Sequence, residues 1–254
     1  MALTEDSGRW EPTAISLAAT RTPKGWRLSG TKMFVLDGHA ADTLIVAARQ
    51  TGTEGVDGVS LFLVPGDSAG VHRTPLATMD PTRKQARLEF RDAAAVPLGT
   101  PGQGWEPLSA ALDQAAVFLS AEILGGAQRC LDMAVEYAKT RVQFGRPIGS
   151  FQAIKHKCAD MLLLVESARS AVHQAAWMAS QGSADLPAVA SIAKSYCADA
   201  YMRVAGENVQ IHGGIGFTWE HDAHLYFKRA KASQVLFGDS RYHRARVAEL
   251  VGIR

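Results

Sequence analysis

The chain has 254 residues, of which 47% are apolar, and this is enough for one large or two ordinary domains and excludes intrinsic disorder. Its 27 basic and 25 acidic residues give a net charge of +2 and are interspersed, so no block of like charge is available to hold nucleic acid or a membrane surface. No segment resembles a signal peptide, no apolar run looks long enough to span a bilayer, and the three cysteines lack metal-ligand spacing. We therefore expect a cytoplasmic protein without nucleic-acid or membrane partners.

The first hundred residues predict a small antiparallel sheet. Their apolar residues alternate, and Gly, Pro or Asp interrupts nearly every segment, as at Asp37-Gly38 and Pro65-Gly66. The predicted strands are Ala14 to Thr22, Trp26 to Leu36, Thr43 to Ala48, Val59 to Val64, Val71 to Pro75 and Gln85 to Phe90. Such a series of short strands is typical of a barrel or a sandwich.

After a glycine-rich joint at residues 99–104 the hydrophobic period becomes helical. Short turns separate the helical segments, which favours an antiparallel four-helix bundle followed by a terminal helical stretch. The predicted segments are Ala110 to Thr140, Phe151 to Ser180, Pro187 to Ile211, about His221 to Phe237, and from Ser240 onward. The sequence thus predicts an α+β protein, with a β-domain at residues 1–103 and a helical domain at residues 104–254.

Two stretches of the helical half carry features of a nucleotide-binding site. In the first, residues 141–161, a Gly-Arg-Pro turn separates two helices, and Gln152 falls in the opening turn of the second, where free backbone N–H groups favour anions. In the second, residues 210–220, three glycines follow an apolar helix and let the backbone approach a bulky ligand. Together they suit the pyrophosphate and adenine of a nucleotide cofactor.

These stretches, with Ala2-Leu-Thr-Glu5 and the later Leu28-Ser-Gly-Thr-Lys-Met33, resemble the acyl-CoA dehydrogenase family over the whole chain. The resemblance implies a middle β-domain and a C-terminal four-helix domain, with FAD bound between them and across a subunit interface. The family's helical first domain has no counterpart in these residues. We expect it either to have been trimmed away or to lie on a separate chain.

The resemblance also implies a set of FAD-contacting residues. For the ADP half the matching positions are Arg141, Gln143, Phe144, Gln152, Gln210, Gly213 and Gly214, the last three gripping the cofactor from a neighbouring subunit. An arginine offers the diphosphate a bidentate donor, and glutamines offer amide donors and acceptors. For the flavin, Thr4 and Phe34 stand at contacting positions, although Leu36 replaces a threonine whose hydroxyl bonds near N5.

The family's catalytic base is missing from its usual places. The reaction needs a carboxylate that takes the proton alpha to the thioester carbonyl. In the Glu-Gly-Thr context of the family, Phe237 stands for the glutamate, Gly238 for the glycine and Asp239 for the threonine, and residues 139–143 contain no acid. Asp239 is the nearest carboxylate and our candidate base, although an aspartate ahead of a helix is also a common N-cap.

One further segment departs from the family's pattern, and four histidines raise the question of a metal site. Gly8-Arg9-Trp10 replaces the expected Gly-Ser-Asp of the pantetheine loop, so the hydroxyl that meets the substrate is also missing. The histidines at positions 212, 221, 224 and 243 form no i, i+4 pair with supporting carboxylates, so we expect no metal site.

Three functional hypotheses follow from this pattern. The first is an FAD-dependent acyl-CoA dehydrogenase that desaturates a fatty or steroid side-chain thioester, works as an oligomer and passes electrons to an electron-transfer flavoprotein. The second is a non-catalytic partner subunit that completes the FAD site of a second, active acyl-CoA dehydrogenase-like chain. The third is another flavin oxidoreductase, such as a monooxygenase, on the same scaffold.

Overall fold

A computed structural model describes residues 1–253, and the chain divides into two compact units, Met1–Ala110 and Ala111–Arg254. The first unit is built of strands and the second of helices, which confirms the predicted α+β class. The predicted domain boundary between residues 103 and 104 lies in the glycine-rich joint. The first α-helix begins directly after this joint, at Trp105.

A closed five-stranded barrel forms the first unit. Its strands, with one extra strand β5, are β1 (Ala18–Thr22), β2 (Gly25–Leu36), β3 (Thr43–Gln50), β4 (Val59–Pro65), β5 (Val71–Leu76) and β6 (Gln85–Leu98). The order is β2-β1-β3-β4-β6, pairing between β2 and β6 closes the ring, and β5 joins the outer side of β6. Only β1 and β3 run parallel among the named strand pairs of residues 1–253. The structure thus selects the barrel over the sandwich.

Alternating side chains fill the barrel. Along β6, Ala86, Leu88 and Phe90 are buried while their neighbours are more exposed, as expected when successive side chains point to opposite faces. They pack with Leu28 of β2 and Phe62 of β4 in one core cluster. This core explains why the alternating pattern located all six strands.

Two strand ends differ from the prediction. Strand β1 begins at Ala18 instead of Ala14, because residues 12–14 form a 3-10 turn. Strand β6 continues to Leu98 instead of ending at Phe90, although the exposed Asp92 has a left-handed φ of 52°. Beyond it residues 93–95, all alanine, pair with β2, and residues 96–98 pair with β4. Pairing with neighbouring strands thus overrides the weak strand propensity of the alanines.

Five α-helices form the second unit: α1 (Trp105–Thr140), α2 (Gln152–Ser180), α3 (Leu186–His212), α4 (Ala223–Val235) and α5 (Ser240–Leu250). Helix α3 packs against α2, α4 and α5, and it has buried residues along its whole length. Helices α2 and α3 are antiparallel neighbours, because Lys157 near the start of α2 pairs with Glu207 near the end of α3. The predicted bundle and its terminal helix are confirmed.

Helix α1 contacts α3 through the Tyr201 side chain. A Cβ placed on Gly126 would lie 2.5 Å from the ring of the buried Tyr201 on α3, so only glycine fits there without a shift. By length and composition α1 could also span a membrane, so the statement that no apolar run is long enough was wrong for this helix. A core helix of a soluble protein has the same properties, and Ile123, Ala127 and Cys130 of α1 are buried in the protein.

Candidate functional site

Arg141 directly follows α1, and its backbone N–H donates to the carbonyl of Tyr137 at 2.8 Å. Its side chain is exposed, and no carboxylate of residues 1–253 forms an ion pair with it. The two short strands β7 (Val142–Gln143) and β8 (Arg146–Pro147) then form a hairpin. Arg141 is therefore a cation without an ion-pair partner among the described residues, and it lies at the start of the hairpin.

The hairpin turn presents Phe144 to solvent. Phe144 and Gly145 both have positive φ, 54° and 75°, as the central residues of a type I′ hairpin turn require. The Phe144 side chain is 91% exposed and touches Phe151 edge-on, with ring centroids 6.1 Å apart. A phenylalanine held in this way offers a ring face to a ligand or a partner.

Helix α2 begins at Gln152, as the turn signal predicted. Its N-cap residue is Phe151, and no side chain of the described part of the chain caps the helix start. The first backbone N–H groups and the positive end of the helix dipole are therefore open to an anion. Gln152 itself is exposed beside them.

The glycine segment follows α3 in the same unit. Gly213 ends the helix with a φ of 64°, which requires glycine, and residues 213–217 form a 3-10 turn. Gly214 is exposed, has no positive φ, and a Cβ built on it would meet no atom within 4 Å. No packing inside the described chain therefore explains a glycine at position 214, whereas close approach of a ligand would.

The two segments lie at one end of the helical unit. The start of α2 and the end of α3 are joined by the Lys157–Glu207 ion pair, and the rings of Tyr137 and His212 stack with centroids 4.3 Å apart. The structure therefore brings together, at one end of a single chain, the seven candidates of this unit that the sequence assigned to the ADP half. These are Arg141, Gln143, Phe144, Gln152, Gln210, Gly213 and Gly214, all of them exposed. Gln210, Gly213 and Gly214 thus lie at the same end as Arg141 of the same chain, whereas the resemblance implied that they reach the cofactor from a neighbouring subunit.

A cleft of about 430 Å³ opens beside them, with Tyr137, His212 and His221 in its lining. Burial lowers the pKa of His212, and the neighbouring His221 lowers it further, so this ring favours its neutral form. In the described residues 1–253, no group of three or more His, Cys, Asp or Glu side chains is arranged to hold a metal ion. The absence of a metal site stays a prediction.

In the β-unit, Phe34 lies in a bulge of β2, and Thr4 is hydrogen-bonded to Met33, the residue before Phe34. The Thr4 hydroxyl donates to the carbonyl of Met33 at 2.7 Å, and the Met33 N–H donates to the carbonyl of Thr4 at 2.8 Å. Phe34 has a φ of 58° and is 42% exposed. Because the Thr4 proton is already used, its oxygen can only accept a further hydrogen bond from a ligand.

A buried ion pair supports this bulge. The ammonium group of Lys32 is fully buried and donates to Glu5 and to the carbonyl of Leu3, both at 2.8 Å. Burial lowers the pKa of Lys32 to about 8, although the Glu5 carboxylate opposes that effect. The pair therefore fastens the segment that carries Thr4 to the strand that carries Phe34.

The turn between α4 and α5 carries the candidate base. Asp239 is exposed and forms the N-cap of α5, because its Oδ1 accepts from the N–H of Tyr242 at 2.8 Å. Phe237 and Gly238 before it have φ values of 58° and 100°. The capping role that the sequence allowed is thus present, and the catalytic role of Asp239 stays a prediction.

Two buried side chains that the sequence analysis missed hold this turn. The Lys194 ammonium donates to the carbonyl of Gly238 at 3.0 Å and to that of Gln234 at 3.3 Å, and His243 Nε2 donates to the carbonyl of Phe237 at 3.0 Å. Burial lowers the pKa of Lys194 to about 8 and that of His243 to about 3. A lysine inside the apolar run of α3 was the available signal for Lys194.

Known proteins resemble both units. Residues 1–93 match the model for the acyl-CoA dehydrogenase middle domain, and residues 102–252 match that for the acyl-CoA dehydrogenase C-terminal domain. Over 167 residues the chain is 47% identical to acyl-CoA dehydrogenase IpdE2 of Mycobacterium tuberculosis, covering 66% of this chain and 48% of that protein.

Two solved structures show the same likeness. Butyryl-CoA dehydrogenase of Megasphaera elsdenii has a TM-score of 0.93 and 32% identity over 98% of this chain and 67% of its own. A chain in the structure of the electron transferring flavoprotein of Acidaminococcus fermentans has a TM-score of 0.93 and 32% identity, over 100% of this chain and 68% of its own. The chain therefore spans about half of the first relative and about two thirds of these structures.

Proposed function

Because the chain belongs to the acyl-CoA dehydrogenase family, we propose that it works as an FAD-dependent acyl-CoA dehydrogenase that introduces an α,β double bond into an acyl-CoA thioester. One observation carries the cofactor assignment: the unpaired Arg141 lies at the same end of the helical unit as the uncapped start of α2 and the exposed glycines 213 and 214. These are donors and open backbone suited to a diphosphate.

The residues present fit the ADP half of FAD. Arg141 would bind the diphosphate, Phe144 would offer its exposed ring, and the amides of Gln143, Gln152 and Gln210 would supply donors and acceptors. In the β-unit, Thr4 would accept one hydrogen bond from the flavin and Phe34 would pack on it. When bound, FAD supplies the acceptor for the hydride that leaves the β-carbon.

The chain itself must supply the group that removes the α-proton. Phe237 has no basic atom, so the nearest carboxylate on this turn is that of Asp239. One of its oxygens accepts the N-cap hydrogen bond of α5, and we assign the other the role of proton acceptor. Lys194 bonds the carbonyls of Gln234 and Gly238, and His243 bonds that of Phe237, so together they would hold the turn in place during the transfer.

Two substitutions separate capping from catalysis at Asp239. Asp239→Asn keeps an oxygen that can cap α5 but removes the base, whereas Asp239→Ala removes both. With the purified, FAD-loaded protein and acyl-CoA, a catalytic Asp239 makes flavin bleaching about a hundred- to ten-thousandfold slower in the Asn variant. If the Asn variant bleaches at the wild-type rate and only the Ala variant loses thermal stability, the residue is a cap and no more.

A second function is favoured by the turn itself, which holds Phe237 at the usual place of the glutamate and uses Asp239 as a cap. This function is a non-catalytic partner subunit that completes the FAD site of a second acyl-CoA dehydrogenase-like chain. The visible spectrum of the chain purified alone distinguishes the two. Bound flavin that acyl-CoA bleaches supports the dehydrogenase, and a colourless protein that gains flavin only with a co-purified homologue supports the partner subunit.

Finer features belong to the same proposal. We assign an electron-transfer flavoprotein as electron acceptor and a fatty or steroid side-chain thioester as substrate. We also assign a cytoplasmic location and an oligomeric state, either a homo-oligomer or a heteromer. The likeness to a chain in the electron transferring flavoprotein structure of A. fermentans supports the acceptor. Reoxidation of the substrate-reduced protein by a purified electron-transfer flavoprotein tests it directly.

A further inference from the structure

The proposed cofactor clasp is assembled from two helix ends that are far apart in sequence. Arg141 directly follows α1, and Gly213 directly follows α3. A diphosphate and its adenosine can contact both only if the two ends keep a fixed separation. The side chains that join these ends therefore matter for binding even where they do not touch the ligand.

One aromatic stack joins the two ends. Tyr137, whose carbonyl accepts from the Arg141 N–H, stacks on His212, the last residue of α3, with a centroid distance of 4.3 Å and an interplanar angle of 27°. His212 is only 5% exposed, and its Nδ1 donates to the carbonyl of Asn208 at 2.8 Å. The ring one helical turn before Arg141 is thus stacked on the ring directly before Gly213.

A third ring, that of His221, extends the stack and lies at the other end of the glycine segment. His221 lies 4.3 Å from His212 between ring centroids, and its Nδ1 accepts from the N–H of Ala223 at the start of α4 at 3.1 Å. Residues 213–220, which include the glycines, therefore run between two histidines that contact each other. Glycines are conformationally free on their own, so this contact restricts the segment before a ligand arrives.

We propose that Tyr137, His212 and His221 are positioning residues that hold the glycine segment at a fixed distance from Arg141 and thereby preorganise the ADP half of the cofactor site. This inference rests on the proposed function, because it concerns the same cofactor. It assigns the three rings no contact with the ligand. Their effect on binding acts through Arg141, Gly213 and Gly214.

The test compares loss of a ring with its conservative replacement. Tyr137→Leu removes the stack and Tyr137→Phe keeps it, and FAD affinity of the apoprotein is measured from flavin fluorescence well below the melting temperature. We expect Tyr137→Leu to raise the FAD dissociation constant about two- to tenfold and Tyr137→Phe to restore it, in line with the worth of an aromatic pair. Amide hydrogen exchange in residues 213–218 should quicken in the Leu variant alone.

Arg141→Ala distinguishes failure of the positioning role from failure of the cofactor assignment. If Tyr137→Leu binds FAD like the wild type while Arg141→Ala binds it more weakly, the positioning role is overturned and the cofactor site stands. If Arg141→Ala also binds like the wild type, the cofactor assignment falls with it. Should Tyr137→Leu not fold, His221→Leu provides the same comparison from a half-buried position, with the same two outcomes.

Discussion

At the scale of single residues, Phe237 bears most directly on the proposed proton transfer, because its side chain has no basic atom. Its backbone has a φ of 58°, and its carbonyl is bonded by His243 while Lys194 bonds the next one. These two hydrogen bonds go to main-chain atoms of the turn. Glu or Gln at position 237 leaves both of them available.

We expect Phe237→Glu to accelerate acyl-CoA-dependent flavin bleaching about a hundred- to ten-thousandfold over Phe237→Gln, because only the former adds a general base. The Gln variant is the matched control for size, polarity and the strained backbone. Stopped-flow absorbance of the flavin band measures both. Equal rates in the two variants would show that this position does not face the substrate.

His243 predicts a pH effect on stability. Burial, followed by the nearby Lys194, lowers its pKa in the folded protein to about 3, against about 6.5 when unfolded. Below pH 6.5 the unfolded chain therefore binds more protons, and stability falls as the pH drops through this window towards 3. Between pH 6.5 and 4.5 the loss from this group is roughly 2 to 3 kcal/mol, at about 1.4 kcal/mol per pH unit.

His243→Gln keeps an N–H donor near the position of Nε2 but cannot titrate, so its free energy of unfolding should depend less on acid. Urea unfolding at several pH values measures this. The exposed His156→Gln is the control and should match the wild type at every pH. A His243→Gln curve parallel to the wild type would contradict a buried neutral histidine.

Sequence reasoning did not identify Lys194 and His243, although it identified the exposed candidates. Arg141 and Gln152 stand in a local motif whose spacing can be read directly. Lys194 on α3 acts on carbonyls of a turn 40 to 44 positions later in the chain, which it reaches only through tertiary packing. His243 acts on a carbonyl only six residues before it, but its burial also depends on that packing. The stack of Tyr137 on His212 likewise depends on how the ends of α1 and α3 pack together, and no local sequence pattern encodes that packing.

At the scale of elements, the junction of α1 and α3 gives a paired prediction. Gly125 is exposed with nothing within 4 Å of an added Cβ, whereas a Cβ on Gly126 would lie 2.5 Å from the Tyr201 ring. Gly125→Ala should stabilise by about 0.5–1 kcal/mol through helix propensity. Gly126→Ala should instead destabilise, by about 1–3 kcal/mol for overpacking.

Thermal and urea unfolding of the two variants measure this difference, and the adjacent positions make each variant the control for the other. If both variants are stabilised, the Tyr201 ring moves aside easily and the contact between α1 and α3 is looser than described.

The starts of α2 and α3 were easier to predict than the ends of β1 and β6, whereas α1 begins at Trp105, five residues before its predicted start at Ala110. Helices α2 and α3 begin within one residue of the predicted starts, because the Gly-Arg-Pro turn and Asp185-Leu-Pro187 are local signals. The second half of β6 was missed because residues 93–95, all alanine, pair with β2 and residues 96–98 pair with β4, and neither pairing can be read from the local sequence. Helix starts that local turn residues specify were predictable, whereas strand ends that depend on pairing with neighbouring strands were not.

At the scale of the whole molecule, the family resemblance implies a cofactor site shared between two chains, and such a site predicts complementation. Arg141→Ala impairs the ADP end, and Phe34→Asn removes a ring from the flavin end while tolerating the left-handed backbone. In a hybrid dimer one site receives both defects and the other receives neither. Mixing equal amounts after dissociation should therefore restore about a quarter of the wild-type flavin per chain, since half of the dimers are hybrids.

Flavin absorbance of the remixed protein measures this recovery, with each variant remixed with itself as the control. No recovery above those controls would mean that Arg141 and Phe34 serve one site within a single chain.

The closed barrel leaves β5 as its outermost strand. This strand has only six residues, contains Pro75 and exposes His72 and Thr74. A short strand with a proline and polar side chains is a poor template for another sheet. We therefore expect the β-unit to resist edge-to-edge polymerisation, so that concentrated solutions of this protein stay free of β-rich fibrils.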